Sequence, residues 1–186
     1  MKHRLLFAVF VASAICGTSF ARASENVFPP EVTYKDLKLS LHGHALLRYK
    51  VVFKVYNIAL YLADGVPADR VFDDVPKRLE VKYLLGLTKA NILEAGDVAL
   101  RASVDPATLE SLQDRIDQIN SLYQDVGKGD TYAITYIPGE GTELAFNGER
   151  KGLIEGADFA AAYFKIWLGD NAPRPDVRDK LLKKAQ

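Results

Sequence analysis

The stretch from residue 37 to residue 62 constrains the fold most. Leu37, Leu39 and Leu41 alternate with Lys38, Ser40 and His42, the period of two that marks a half-buried strand. Gly43 interrupts the alternation as a turn or bulge. Residues 46–62 are rich in Val, Tyr, Phe and Ile, which favour a pleated surface, and the pattern predicts one long strand ended by Asp64-Gly65 and Pro67. Residues 79–85 predict a third strand.

Helical signals follow. Thr88 is placed to cap a helix running to about residue 103, its hydroxyl accepting an orphan backbone N–H. Asp105-Pro106 opens a second, with Asp as cap and Pro in the first turn. Leu109, Leu112, Ile116, Ile119 and Tyr123 keep helical spacing there, and Gly127 and Gly129 stop it. Tyr132, Ile134 and Tyr136 return to period two. Pro138-Gly139 turns the chain, Leu144 and Phe146 resume the alternation, Asn147-Gly148 signals a hairpin, and Leu153-Ile154 completes a short strand. Helices are predicted over 156–167 and about 176–184. Strands and helices thus come in blocks, which defines an α+β domain: an antiparallel β-sheet with a layer of helices packed on one face.

The N-terminus reads differently. Lys2 and Arg4 precede an apolar run over residues 5–14, and Ala21-Arg22-Ala23 supplies small residues for cleavage. This is the layout of a secretory signal peptide, with cleavage expected after Ala23 and a periplasmic location for the product. A lipoprotein reading through Cys16 fails on Ile15, where a small residue is needed. The apolar run is shorter than the ~20 residues of a spanning helix, so no transmembrane segment is expected in the mature chain. The organisation predicted is a signal over 1–23, an extended lead-in over 24–35 and one domain over 36–186. Cleavage would remove the single Cys together with Lys2, Arg4 and Arg22, leaving 21 basic against 24 acidic residues. Cys-based metal sites and disulfides are then excluded, and a mildly acidic chain without a basic block argues against nucleic-acid binding.

Among side chains that carry chemistry, Gly127-Lys128-Gly129 lacks the run of a phosphate loop and reads as a helix stop. Glu110, Asp114 and Asp117 form a solvated helix face. His42 and His44, one residue apart, offer two metal ligands without a third. On the predicted long strand, the even positions pass from Arg48, Lys50, Val52, Lys54 and Tyr56 to Ile58, Leu60 and Leu62. Such a gradient is either a solvent-exposed strand dipping under helices or the wall of a cleft for a ligand with an anionic head and an apolar body. Arg offers a planar fork for a carboxylate, and a Tyr hydroxyl adds a hydrogen bond.

Gly43-x-Ala45-Leu46-Leu47-Arg48-x-Lys50, followed by Phe53-Lys54-Val55-Tyr56-Asn57-Ile58-Ala59-Leu60-Tyr61-Leu62, resembles the signature strand of the chalcone isomerase superfamily. Gly129-Asp130-x-Tyr132, Tyr136-Ile137-Pro138-Gly139-x-Gly141-Thr142, Phe146-Asn147-Gly148 and Phe164-x-Ile166-Trp167-Leu168-Gly169 resemble its later motifs, in the family's order. The resemblance implies an open-faced β-sandwich with a ligand cleft between sheet and helices. It also implies a site. The isomerases use an Arg, a strand Thr, and a Tyr and an Asn on the following helix; matching places Tyr56, Ile92 and Ala99 at the last three. Ile and Ala donate no hydrogen bond, and losing even one oxyanion donor costs ~10²–10³ in rate. The fatty-acid-binding branch instead holds a carboxylate with an Arg and a strand Tyr, to which Arg48 and Tyr56 correspond, with a shorter hairpin between them here.

The expectation is therefore non-catalytic binding of a small amphipathic carboxylate, fatty-acid-like, by Arg48 and Tyr56 with supporting charge from Lys54, and with no cofactor. Haem held through His42 or His44, an intramolecular lyase or isomerase on another substrate, and a ligand-free accessory protein are the alternatives.

Overall fold

The computed structural model describes residues 27–50 and 52–184; the expected signal segment and its cleavage point lie outside them, as does Val51. Seven strands, β1 (Glu31–Tyr34), β2 (Leu37–Tyr49), β3 (Phe53–Ala63), β4 (Lys77–Tyr83), β5 (Thr131–Ile137), β6 (Gly141–Phe146) and β7 (Glu149–Ile154), follow each other in space as in sequence. Every pairing is antiparallel. Helices α1 (Lys89–Ser103) and α2 (Pro106–Leu122) lie between β4 and β5, and α3 (Ala157–Tyr163), α4 (Lys165–Leu168) and α5 (Pro175–Leu182) follow β7. The predicted α+β sheet with its helix layer is the observed architecture. Among the described residues no helix is long and apolar enough to cross a membrane.

Local chemistry accounts for the boundaries. Thr88 caps α1 through Asn91, Oγ1 accepting from its backbone N–H at 3.2 Å while the Asn91 amide oxygen accepts from the Thr88 N–H. Asp105 accepts from the Thr108 N–H at 2.9 Å, with Pro106 in the first turn of α2. Asn147 and Gly148 both have positive φ, as the two-residue turn joining β6 and β7 requires. The lead-in is tied down: β1 pairs with β2, Phe28 is buried, and the Tyr61 hydroxyl donates to the Pro29 carbonyl at 3.1 Å.

Two expectations are corrected. The strand predicted over 46–62 is two strands, β2 and β3, folded back at residues 50–52, with Lys50 at φ 46°. The alternation argument fails there because Arg48 pairs with Lys54 and Tyr49 with Phe53 across the hairpin. Helix α2 ends at Leu122, before the glycines: Tyr123 turns extended and its ring enters the core.

A bulge in β2 decides which residues face the helices. Leu41 pairs with Tyr61, but Gly43 pairs with Leu60. The extra residue, His42, inverts the alternation. Leu39 therefore packs with Phe28, Ala59 and Tyr61 on the outer face, whereas Ala45 packs with Ile58, Leu60 and Leu62 under the helices. His42 Nε2 meets the Leu182 carbonyl at 3.0 Å, and among the described residues no group of three or more His, Cys, Asp or Glu is placed to hold a metal ion.

Helix α5 seats on this bulge. A Cβ at Gly43 would collide with the backbone carbonyls of Lys180 and Leu181. Gly43→Ala should therefore cost about 2 kcal/mol or more, as overpacking against rigid backbone does, read from the urea midpoint.

Lys77 is wholly buried on the helix-facing side of β4. Its ammonium donates to the Asp73 carbonyl at 2.8 Å and lies 4.7 Å from the Tyr136 ring centre. Burial pushes its pKa down to about 8, against partial opposition from Asp74 and Asp73. Between that value and its ordinary 10.5 the unfolded chain keeps a proton the native chain has released, so stability rises with pH. Above about pH 10 the buried phenols, Tyr34 and Tyr56 pushed up to about 12 among them, reverse the trend. Urea unfolding should show stability on the order of 1–2 kcal/mol higher at pH 9.5 than at pH 7. Lys77→Met should abolish that rise.

Candidate functional site

Helix α1 packs chiefly on α2, α3 and α4 rather than on a strand. Its inner surface carries small residues, Ala95, Gly96 and Ala99, and the space they leave is a cavity of about 750 Å³, within the roughly 300–1,000 Å³ of small-molecule sites. The sheet wall comes from the β2–β3 hairpin and β4: Leu47, Val55, Tyr56, Val81 and Tyr83. The helix layer adds Ile92, Leu100, Ile116, Ile166 and Trp167. Tyr49 and Phe53, both more than half exposed, line it where it opens beside Pro173 and Arg174.

Four phenols reach into this apolar space. Tyr123 and Tyr163 satisfy each other, hydroxyl to hydroxyl at 2.9 Å, and burial pushes both far above the ordinary tyrosine pKa. Tyr132, its ring tilted against that of Tyr123 at 4.8 Å, lies behind them and accepts the Gln124 backbone N–H at 2.8 Å. Tyr56 and Tyr83 are different. Their rings meet edge to face at 5.9 Å, and the Tyr83 hydroxyl, without a hydrogen-bond partner among the described residues, is not sealed from the cavity space. Burial raises Tyr83 well above its ordinary value, with the neighbouring phenols adding to the effect. Burial likewise pushes Tyr56 up to about 12, although the Trp167 indole and the charge of Arg174 act to lower it. All four are neutral donors at physiological pH.

Arg174 is the cation of the cavity lining. It is positioned by α5: Nε and Nη2 each donate to Asp176 at 2.9 Å, and Nη1 donates to the Arg48 carbonyl. The hydrogen bond to Asp176 holds its pKa above the ordinary arginine value, so the guanidinium stays charged. Three of the five N–H donors of a guanidinium are thereby used, and two remain.

The three residues singled out in the sequence part company here. Tyr56 lines the cavity. Arg48 and Lys54 pair across the hairpin with exposed side chains, and neither contributes to the lining; Arg48 offers its carbonyl to Arg174 instead. Ile92 and Ala99, which the resemblance placed in a ligand site with Tyr56, do line the cavity beside it. Arg174 was not found because it lies 118 positions beyond Tyr56 in a Pro-flanked loop, and only the docking of α5 on β2 brings it close. Tyr83, Tyr123 and Tyr163 read as core aromatics at strand or helix spacing, which leaves no sign that their hydroxyls converge.

Residues 21–183 match the model of the chalcone isomerase-like family, and the chain belongs to that family. Its fold is similar to that of an Arabidopsis thaliana fatty-acid-binding protein: TM-score 0.64, with 83% of this chain and 90% of that one covered at 15% identity. No functionally curated sequence matches the chain.

An ideal Cβ on Gly96, in the cavity wall, meets nothing within 4 Å. Gly96→Leu should therefore project into open space and raise helix stability by roughly 0.5–1 kcal/mol. It should also reduce the fluorescence of a cavity-seeking dye such as 1-anilinonaphthalene-8-sulfonate, with both effects read on one preparation.

Proposed function

We propose that this protein is a non-catalytic carrier of a small amphipathic carboxylate, fatty-acid-like, exported to the periplasm and taking its ligand between α1 and the sheet. The observation that supports this best is the cavity itself: about 750 Å³, apolar along most of its wall, with unspent hydrogen-bond donors at Tyr56, Tyr83 and Arg174. Apolar lining favours a hydrocarbon body through burial worth about 25 cal/mol per Å². A few fixed donors orient the head.

The carboxylate would sit beside Arg174, taking its two remaining N–H donors, with the neutral Tyr56 hydroxyl donating to it. The tail would run inward past Ile92 and Leu100 towards Tyr123 and Tyr163. Arg174 takes the part that the resemblance gave to Arg48, because it is the cation in the lining. The fatty-acid-binding protein of similar fold supports the same class of ligand, and the apolar Ile92 and Ala99 in the wall weigh against a lyase, since they leave two donor positions empty.

Native mass spectrometry of the purified protein should show a co-purifying fatty acid. After delipidation, titration with palmitate should restore binding. Tyr56→Phe, which keeps the ring, should weaken it about tenfold, the size of one hydrogen bond to a charged acceptor. Arg174→Gln should weaken it further, while Arg48→Ala leaves it unchanged. Delipidated protein that takes up no fatty acid of any chain length would overturn the reading.

A further inference from the structure

We propose that the tip of the β2–β3 hairpin is a membrane-docking element that seats the cavity mouth on a bilayer bearing anionic lipid headgroups. Tyr49, Val52 and Phe53 are 59%, 74% and 58% exposed, and they fall within five consecutive positions at the end of one hairpin. Folding leaves large apolar side chains in water only where something else covers them or function needs them. Cations surround these three. Arg48, Lys50 and Lys54 are all exposed, and the Lys50 ammonium stands 5.4 Å from the Tyr49 ring centre.

Among the described residues Arg48, Lys50 and Lys54 take part in no ion pair. No Asp or Glu occurs between Asp36 and Asp64. At the cavity mouth Asp176 is taken by Arg174 and Asp97 by Arg101. The tip therefore presents an aromatic and aliphatic point ringed by unneutralised positive charge. Aromatic residues settle at the membrane–water interface, and basic residues beside them are drawn to an anionic leaflet surface.

The size of the feature selects a bilayer over a protein partner. A stable protein interface buries roughly 800 Å² per partner over some 20–30 residues, more than a hairpin end can supply, whereas insertion into headgroups needs only a protruding tip. Tyr49 and Phe53 belong both to this tip and to the cavity lining. Docking there opens the cavity towards the hydrocarbon, so that a poorly soluble ligand passes between membrane and protein without crossing water. That purpose rests on the carrier reading; the docking itself does not.

The test is co-flotation with vesicles of phosphatidylcholine alone or with phosphatidylglycerol. It uses a chain beginning at Ser24, which retains every element described above and lacks the apolar run over residues 5–14. Binding should require phosphatidylglycerol and weaken in about 0.5 M salt, which screens surface charge. The pair Val52→Asp and Phe53→Ser, and separately the pair Lys50→Glu and Lys54→Glu, should each weaken it at least about tenfold. Val52→Trp should shift its emission to the blue on those vesicles. Gly96→Leu, which obstructs the cavity, should leave flotation unchanged, so that a failed carrier reading and a failed docking reading give different results. The proposal is overturned if flotation is absent or indifferent to the tip substitutions. It is equally overturned if those substitutions instead abolish self-association in solution, measured by sedimentation without lipid.

Discussion

The close approach of α5 to Gly43 is the contact from which the site's geometry follows. A strand normally keeps a helix about 10 Å away by its side chains; here a bulge at His42 and a residue without Cβ let the backbone of Lys180 and Leu181 lie directly on β2. The seated helix holds the loop before it against the hairpin, where Arg174 donates to the Arg48 carbonyl and reaches the cavity beside Tyr56. One added methyl group would displace the helix, and with it the Arg174 guanidinium of the cavity wall.

The cavity is the complement of that arrangement. Close packing is the rule for protein interiors, and β3 obeys it over Ile58, Leu60 and Leu62, which are essentially sealed. Under α1 the rule is relaxed. The helix is supported by other helices, its inner residues are small, and the aromatic rings below it meet one another edge to face or tilted instead of filling the gap. The phenols divide accordingly: Tyr123 and Tyr163 at the inner wall pair with each other, Tyr132 behind them bonds to backbone, and Tyr56 and Tyr83 keep donors to spare. An apolar volume bounded by a few unspent donors has the character of a binding site for a molecule with one polar end.

Membership of the chalcone isomerase-like family fits this division. The positions that the resemblance singled out, Tyr56, Ile92 and Ala99, converge on one cavity although they lie on a strand and a helix. Two of these three side chains, Ile92 and Ala99, have no polar atom. The polar side chains of the lining include Tyr56, Tyr83, Asn91, Asp97, Asn120 and Arg174, of which Arg174 is the cation.

Most of the secondary structure was legible because local physics settles it. Period two marked the strands, the Thr88 and Asp105 caps marked α1 and α2, and Asn147-Gly148 marked the last hairpin. The failures share a cause. In the stretch over 46–62 both strands of a hairpin are rich in the same residues, and the turn at Lys50 carries no Gly, Pro, Asn or Asp, so periodicity ran straight through it. That error put Arg48 and Lys54 on one wall with Tyr56, whereas a second register shift, at Leu47/Arg48, breaks the alternation between Lys54 and Tyr56 and leaves both cations exposed. The end of α2 was misjudged for a related reason, since burial of Tyr123, not a helix-breaking residue, stops the helix. By itself, then, the sequence determined the α+β class, the order of elements from β4 onward and the family, carried by spacing and motifs along the chain, while β1 and the β2–β3 turn escaped it. The cavity and the approach of Arg174 to Tyr56 were decided only by tertiary structure, because each brings together groups far apart in sequence; the aromatic tip was decided by the fold of the β2–β3 hairpin, whose turn no residue type announces.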